Sequence, residues 1–143
     1  MGILTDGFST TISFSGVGTG MPALLFEKEV TPPGISAGGE NDTTTMRNTV
    51  WRTKAPRSLI TLLPASFVAA YDTNVLDELV ANTGVNQQII ITFPDESTWT
   101  FYGWLDEFVP NPAVEGAQPT ANCTIIPSNM DDTGTESPPS RSP

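Results

Sequence analysis

Residues 87–105 read QQIIITFPDESTWTFYGWL, and this stretch sets the fold class of the chain. An isoleucine-rich run comes first, a polar turn at residues 94–97 follows, and the returning run alternates Trp99 and Phe101 with threonines. β-branched and aromatic residues favour strands, and two such runs around a short polar turn are typical of a β-hairpin. The sequence therefore predicts an antiparallel hairpin at the centre of a β-rich protein.

Further strands are predicted on both sides of this hairpin. Residues 8–15 and 23–31 alternate apolar and polar side chains, and residues 118–126 do the same after the hairpin. This period of two indicates strands with one buried face. Residues 58–70 begin as a buried strand, which we expect Pro64 to end or interrupt because proline lacks the N–H that a sheet needs.

One helix is predicted, at about residues 72–83. Asp72 can cap its N-terminus, apolar residues at helical spacing form one face, and Gly84 follows where a C-terminal cap belongs. A helix of this length is marginal by itself in water. We therefore expect it to pack against the sheet.

The chain of 143 residues is long enough for one domain of ordinary size. We expect that domain to cover residues 1–126, with a mainly β (α+β) fold in which a β-sandwich or small barrel carries the flanking helix. Prolines and glycines predict a long loop at about residues 31–57. Residues 127–143 turn to Ser, Asp, Thr, Gly and Pro, which predicts a disordered tail.

The composition argues against several kinds of site. The chain has no histidine and one cysteine, so it lacks the usual base for a Ser or Cys nucleophile and the usual ligands for zinc. A net charge of -10 disfavours a surface that binds phosphates by charge. No apolar run approaches the length of a membrane span. We expect no catalysis, no metal, no cofactor, no membrane anchor and no specific DNA binding.

Two acidic residues, Glu27 and Glu29, alternate along one predicted strand and are expected to share a face about 7 Å apart. Such a pair could serve as the acid and base of a glycosidase, which need a fixed separation and one raised pKa. A solvated strand face explains the pair better.

The basic residues are concentrated in one segment. Residues 42–57 contain four of the six basic residues of an otherwise acidic chain. These charges could mark a solvated sheet edge that resists aggregation. Alternatively, the segment docks against the acidic body of another copy, with arginine–carboxylate pairs and Trp51 as an anchor. The candidate contact residues are Asp42, Thr44, Met46, Arg47, Trp51, Arg52, Lys54 and Arg57.

Residues 39–59, GENDTTTMRNTVWRTKAPRSL, resemble a passage of the major tail tube proteins of long-tailed, non-contractile bacteriophages. A second similar patch comprises Tyr71 and Asp72, the short helix, and residues 86–103, NQQIIITFPDESTWTFYG. The two patches match that family in order and spacing. Together they place the resemblance over about residues 24–126.

The resemblance implies a structural virion protein whose copies form rings of six, with the rings stacked into a tail tube through which the genome passes. It implies that Glu27 and Glu29 face the lumen and that residues 31–57 reach the neighbouring ring. The implied partners are the protein itself and the tape measure, tail terminator and distal tail proteins. DNA would pass through an acidic lumen without specific binding. The implied location is the virion, after assembly in the host cytoplasm.

Two other functions remain open from the sequence. One is a solitary β-sandwich that acts as a binding module, such as an adhesin or a capsid-decoration domain. The other, closely related to the tail tube, is the tube of a contractile or secretion machine.

Overall fold

The computed structural model describes residues 10–14, 26–70 and 73–143. Parts of the first two predicted strands, at residues 8–9, 15 and 23–25, lie outside the described residues, as do Tyr71 and the predicted cap Asp72. The described chain is mostly antiparallel strand with one short helix. This confirms the predicted fold class.

The described elements are, in chain order, β1 (Thr11–Phe14), β2 (Phe26–Thr31), β3 (Ile35–Ser36), β4 (Glu40–Asp42), β5 (Lys54–Pro56), β6 (Thr61–Leu62), β7 (Ala65–Ala70), α1 (Thr73–Asn82), β8 (Gln87–Thr92), β9 (Thr98–Pro110), β10 (Thr120–Pro127) and β11 (Ser140–Ser142).

A seven-stranded antiparallel sheet forms the body, with strand order β1-β8-β9-β10-β7-β2 and β11 paired with β9. The predicted hairpin is its β8–β9 pair, in register from Gln87 opposite Gly103 to Thr92 opposite Thr98. β10 pairs with the second half of β9 and ends at Pro127, opposite Gly103. β11 pairs with the first half of β9, which β10 does not reach.

The sheet curls until its two edge strands, β1 and β2, lie beside one another. The backbone N–H of Ile12 donates to Oε1 of Glu27 at 3.0 Å across this junction. The result is a small barrel whose interior is the hydrophobic core. The largest fully buried side chains are Phe14, Phe67, Phe101, Leu79, Ile89, Ile91, Leu105, Ile125 and Cys123.

The helix α1 packs against β9, as expected for a helix of this length. Leu79 is buried in the core, and the N–H of Gly84 donates to the carbonyl oxygen of Leu105 at 2.9 Å. Gly84 has a φ of 75°, a conformation that glycine adopts without steric penalty. The predicted C-terminal cap is confirmed.

Two segments differ from the sequence-based expectations. The strand predicted to begin at residue 58 begins at Thr61 as β6, and Leu59 and Ile60 before it are exposed rather than buried. The segment predicted to be a disordered tail contains a turn at residues 131–135 and the strand β11. Backbone pairing to β9 orders β11, so the segment needs no apolar residues of its own.

Candidate functional site

The basic segment forms a hairpin that projects from the barrel. β4 and β5 pair antiparallel from Glu40 opposite Pro56 to Asp42 opposite Lys54, and the N–H of Thr43 extends the pairing to the carbonyl oxygen of Thr53 at 3.0 Å. We call residues 40–57 the arm and residues 45–51 its tip. The sequence predicted a long loop over about residues 31–57, and the structure shows a strand pair with an ordered connection within that range.

Threonine and asparagine side chains hold that connection in place. The hydroxyl of Thr44 accepts a hydrogen bond from the N–H of Thr53 at 3.1 Å. The amide of Asn48 donates to the carbonyl oxygen of Trp51 at 2.8 Å and accepts from the N–H of Thr45 at 3.1 Å. Short polar side chains commonly satisfy backbone groups of a turn in this way. The run of threonines therefore shapes the arm locally.

Two of the four basic side chains of the arm are paired within it. Nζ of Lys54 lies 2.8 Å from Oε2 of Glu40, and Nη1 of Arg52 lies 3.3 Å from Oδ2 of Asp42. Arg47 and Arg57 form no ion pair with any residue that the structure describes.

Asp42 also serves the turn. Its Oδ1 accepts from the N–H of Thr44 at 2.9 Å. Hydrogen bonds from Thr44, mainly from its hydroxyl and to a lesser extent from its N–H, lower the pKa of Asp42. The carboxylate therefore stays ionised beside Arg52. Among the described residues, two arginines of the segment therefore lack an ion pair, Arg47 at the tip and Arg57 at the base, whereas the two basic residues between them are paired.

The tip exposes large apolar side chains. Met46 is fully exposed, and Trp51 and Val50 expose 81% and 78% of their surface. A cluster of exposed apolar groups on an ordered element marks an interaction surface more often than a scatter of single residues does. Together with Arg47, these side chains give the tip an amphipathic and cationic character.

The candidate contact residues therefore fall into three places. Asp42, Thr44, Arg52 and Lys54 build the body of the arm, Met46, Arg47 and Trp51 lie at its tip, and Arg57 lies at its base. The structure brings them together in one element, and it assigns the first four to internal contacts.

Glu27 and Glu29 do not share a face, so the expectation from strand alternation is wrong. Glu27 pairs with Ala69 and Glu29 with Val68, which leaves Lys28 as an extra residue in a β-bulge. One inserted residue reverses which face each following side chain takes. Glu27 turns to the barrel junction and accepts from Ile12, whereas Glu29 stays on the outer face.

The outer face of β2, β7, β10 and β9 is polar. The register places Glu29 with the outward residues Thr31, Ser66, Val68, Asn122, Thr124, Glu107 and Val109. Most of these side chains are hydroxyls, amides or carboxylates, and a shallow depression of about 110 Å³ lies among them beside Glu29. Glu29 and Glu107 give this face a negative charge, and Lys28 is exposed beside Glu29 at the bulge.

A larger groove lies at the base of the arm. It has a volume of about 430 Å³, and its lining residues are Ile35, Ser58, Leu59, Ile60, Leu62, Asn129, Glu136, Pro138 and Pro139. The groove was not predicted from the sequence, because the Leu59–Ile60 pair was expected in a buried strand and the prolines in a disordered tail. The adjacent apolar pair just after Arg57 was the available signal.

The described residues contain no group of three or more His, Cys, Asp or Glu side chains placed to hold a metal ion. Cys123 is buried in the core, and desolvation raises its pKa to about 12. A thiol in that state is a poor nucleophile. Within the described residues, no helix has the length and apolarity needed to cross a membrane.

Comparison with known proteins gives a likeness of fold. No family model and no curated protein matches the sequence. A solved structure with a similar fold is a chain of the anti-feeding prophage baseplate, determined by cryo-EM and six-fold symmetrised. It is 9% identical, with a TM-score of 0.66, and the match covers 90% of this chain and 94% of that one. At this identity the likeness shows a shared fold.

Proposed function

We propose that this chain is a structural subunit of a phage-type tail whose copies assemble into stacked rings of six that form the tail tube. The observation that carries the proposal is the arm. It is a hairpin folded by its own hydrogen bonds and ion pairs, yet it exposes Trp51 and Met46 to solvent, and its Arg47 forms no ion pair with a described residue. Such a surface on an acidic barrel fits the acidic surface of another copy.

Three further points support the proposal. The fold is shared over nearly the whole chain with a component of a six-fold symmetrised prophage baseplate. The sequence passages at residues 39–59 and 86–103 resemble tail tube proteins, and the structure places the first of them in the arm. A contact between an arm and a different surface of the next copy is head-to-tail, so it closes into rings or continues along an axis.

The acidic outer face supplies a surface suited to the lumen. Glu29 and Glu107 lie there among hydroxyl and amide side chains. A lumen of this kind repels phosphates, so DNA would pass through it without being held. Glu27 is not proposed as a lumen residue, because its carboxylate accepts a hydrogen bond from Ile12 at the barrel junction.

The proposal includes the location and partners that the resemblance implies. The protein would act in the tail of a virion, after assembly in the host cytoplasm. Its principal partner would be itself, with the tape measure, tail terminator and distal tail proteins at the ends and inside of the tube. No step of this function needs a cofactor or catalysis.

The test reverses the unpaired arginines, Arg47→Glu with Arg57→Glu, and leaves the internal pairs of Arg52 and Lys54 in place. We expect this variant to keep its circular dichroism spectrum and melting temperature while losing the rings or tubes that the parent forms at high concentration in negative-stain micrographs. The matched control, Lys28→Glu with Arg141→Glu, changes the net charge equally outside the arm. It should still assemble.

Normal tubes from the arm variant would show that Arg47 and Arg57 are not needed for the contact between copies. Equal loss in both variants would mean that net charge, rather than the arm, controls assembly. A parent protein that remains monomeric and binds glycans would instead favour a solitary binding module.

A further inference from the structure

The groove at the base of the arm is an apolar surface that nothing within the described chain covers. Leu59 and Ile60 line it with 82% and 68% of their surfaces exposed, and Ile35 lines it with 62% exposed. Pro138 and Pro139 of the C-terminal segment form the opposite wall. A volume of about 430 Å³ lies in the range of sites that take up a small molecule or a few large side chains.

The wall formed by the C-terminal segment contains one acidic residue, and two more lie in the adjacent turn. Glu136 lines the groove, and it pairs through its backbone with Met130 across the turn that begins at Asp131. Oδ1 of Asp131 accepts from the Thr133 hydroxyl and from two backbone N–H groups, and Asp132 follows it in the same turn. Among the described residues, no lysine or arginine lines the groove. An occupant with a positive charge and apolar side chains is therefore favoured.

The tip of the arm has that chemistry. Met46 and Trp51 supply exposed apolar surface, and Arg47 supplies a charge without an ion-pair partner among the described residues. Tryptophan and arginine are also the residues most often found at the energetic centre of protein interfaces.

The arm cannot fill the groove of its own copy. The groove is at the base of the arm, next to Arg57, whereas Trp51 lies five residues beyond Pro56 along a paired hairpin. At about 3.3 Å per residue, the tip lies on the order of 15 Å from the base. Folding it back would break the pairing from Glu40 to Thr53.

We infer that this groove is the receiving surface for the arm of a second copy, with Trp51 and Met46 inserted against Leu59, Ile60 and the two prolines, and Arg47 facing Glu136. The inference rests on the proposed function and names the surface that completes its contact. Each copy then contributes an arm to one neighbour and a groove to another. In such an assembly every arm and every groove is occupied, except one of each at the first and last copy.

A cysteine cross-link between tip and groove tests the inference. The variant Val50→Cys with Ser58→Cys places one thiol on the exposed tip and one on the groove lining, and a short bismaleimide is added under assembly conditions. The native Cys123 is buried and stays out of the reaction. We expect a ladder of covalent multimers on a denaturing gel. The control Val50→Cys with Glu115→Cys, which moves the second thiol to the exposed β9–β10 loop, should give no ladder.

The outcomes separate this inference from the proposed function. Tubes that form without the ladder, or an equal ladder from the control, would overturn the groove as the receiving surface. The proposed tube assembly would still stand. A parent protein that does not assemble, together with a double-cysteine variant that does not cross-link, would overturn both. If the double-cysteine variant alone fails to assemble, Leu59→Asp decides, because that side chain is exposed and its change leaves the core untouched. Loss of tubes in a folded Leu59→Asp variant would support the groove as the receiving surface, and normal tubes would overturn that assignment.

Discussion

Glu96 carries backbone strain in the turn of the β8–β9 hairpin. Its φ is 69°, in the left-handed region, where glycine is the usual residue. The turn closes through the N–H of Phe93 to the carbonyl oxygen of Ser97 and the N–H of Glu96 to that of Phe93, both at 2.9 Å. A left-handed residue at the end of such a turn is typical of hairpins with a bulge, and most of them use glycine.

Glu96→Gly should therefore stabilise the protein. The left-handed conformation disfavours a residue with a Cβ by about 1–2 kcal/mol, and glycine gives back about half of that through the greater freedom of its unfolded chain. We expect a net gain of about 0.5–1 kcal/mol in the free energy of unfolding, measured by urea denaturation. Asn129→Gly, at a φ of 52°, is the control and should change stability less, because asparagine tolerates this conformation. An unchanged or lower stability for Glu96→Gly would show that the turn is not strained.

At the scale of elements, the sequence predicted those whose side chains repeat regularly. The β8–β9 hairpin follows from alternation around a polar turn, and α1 follows from its apolar spacing and Gly84. The bulge at Lys28 could not be predicted, because an extra residue leaves the local composition unchanged and becomes visible only against the partner strand β7. Strand β11 could not be predicted either, since its pairing uses backbone groups that every sequence has.

The residues of the candidate site could be predicted from the sequence, but the contacts between them could not. The sequence identified the arm residues, yet it could not show that Lys54 and Arg52 contact Glu40 and Asp42 across a hairpin register. The groove joins residues about 75 positions apart in the chain, from Ile60 to Glu136. No local pattern connects such segments.

The junction between β1 and β2 gives a prediction for the two acidic residues of β2. Glu27→Ala removes the acceptor of the Ile12 N–H in a half-buried position, and we expect a loss of about 1–2 kcal/mol in the free energy of unfolding. Glu29→Ala, on the outer face of the same strand, should change stability by less than about 0.5 kcal/mol. Denaturant unfolding of the two variants measures the difference. Equal losses would indicate that the barrel does not depend on this bond.

At the scale of the whole molecule, the C-terminal segment joins parts of the barrel that are distant in sequence. Ser137 donates its N–H to the carbonyl oxygen of Asn129, Asn86 donates to the carbonyl oxygen of Met130, and β11 covers the first half of β9. Without β11, the backbone groups of residues 98–100 would form a free edge. Unpaired edges of this kind are templates for pairing with another chain.

A chain that ends after Pro139 should therefore associate irregularly while keeping its barrel. We expect soluble aggregates by light scattering at concentrations where the parent is monomeric or forms regular tubes, with an unchanged core in circular dichroism. Removal of Pro143 alone is the control and should have no effect, because the described pairing of β11 ends at Ser142. A truncated chain that remains monodisperse would show that the edge of β9 is protected by other means.

The arm adopts its hairpin before any neighbour arrives, and this has a kinetic consequence. Ordering a loop during association lowers affinity and slows capture, because its conformational entropy is lost at that moment. Here the threonine and asparagine bonds have already removed that freedom when the subunit folds. Growth of an assembly would then proceed by rigid docking, at a rate set by charge-steered encounter and therefore slowed by salt.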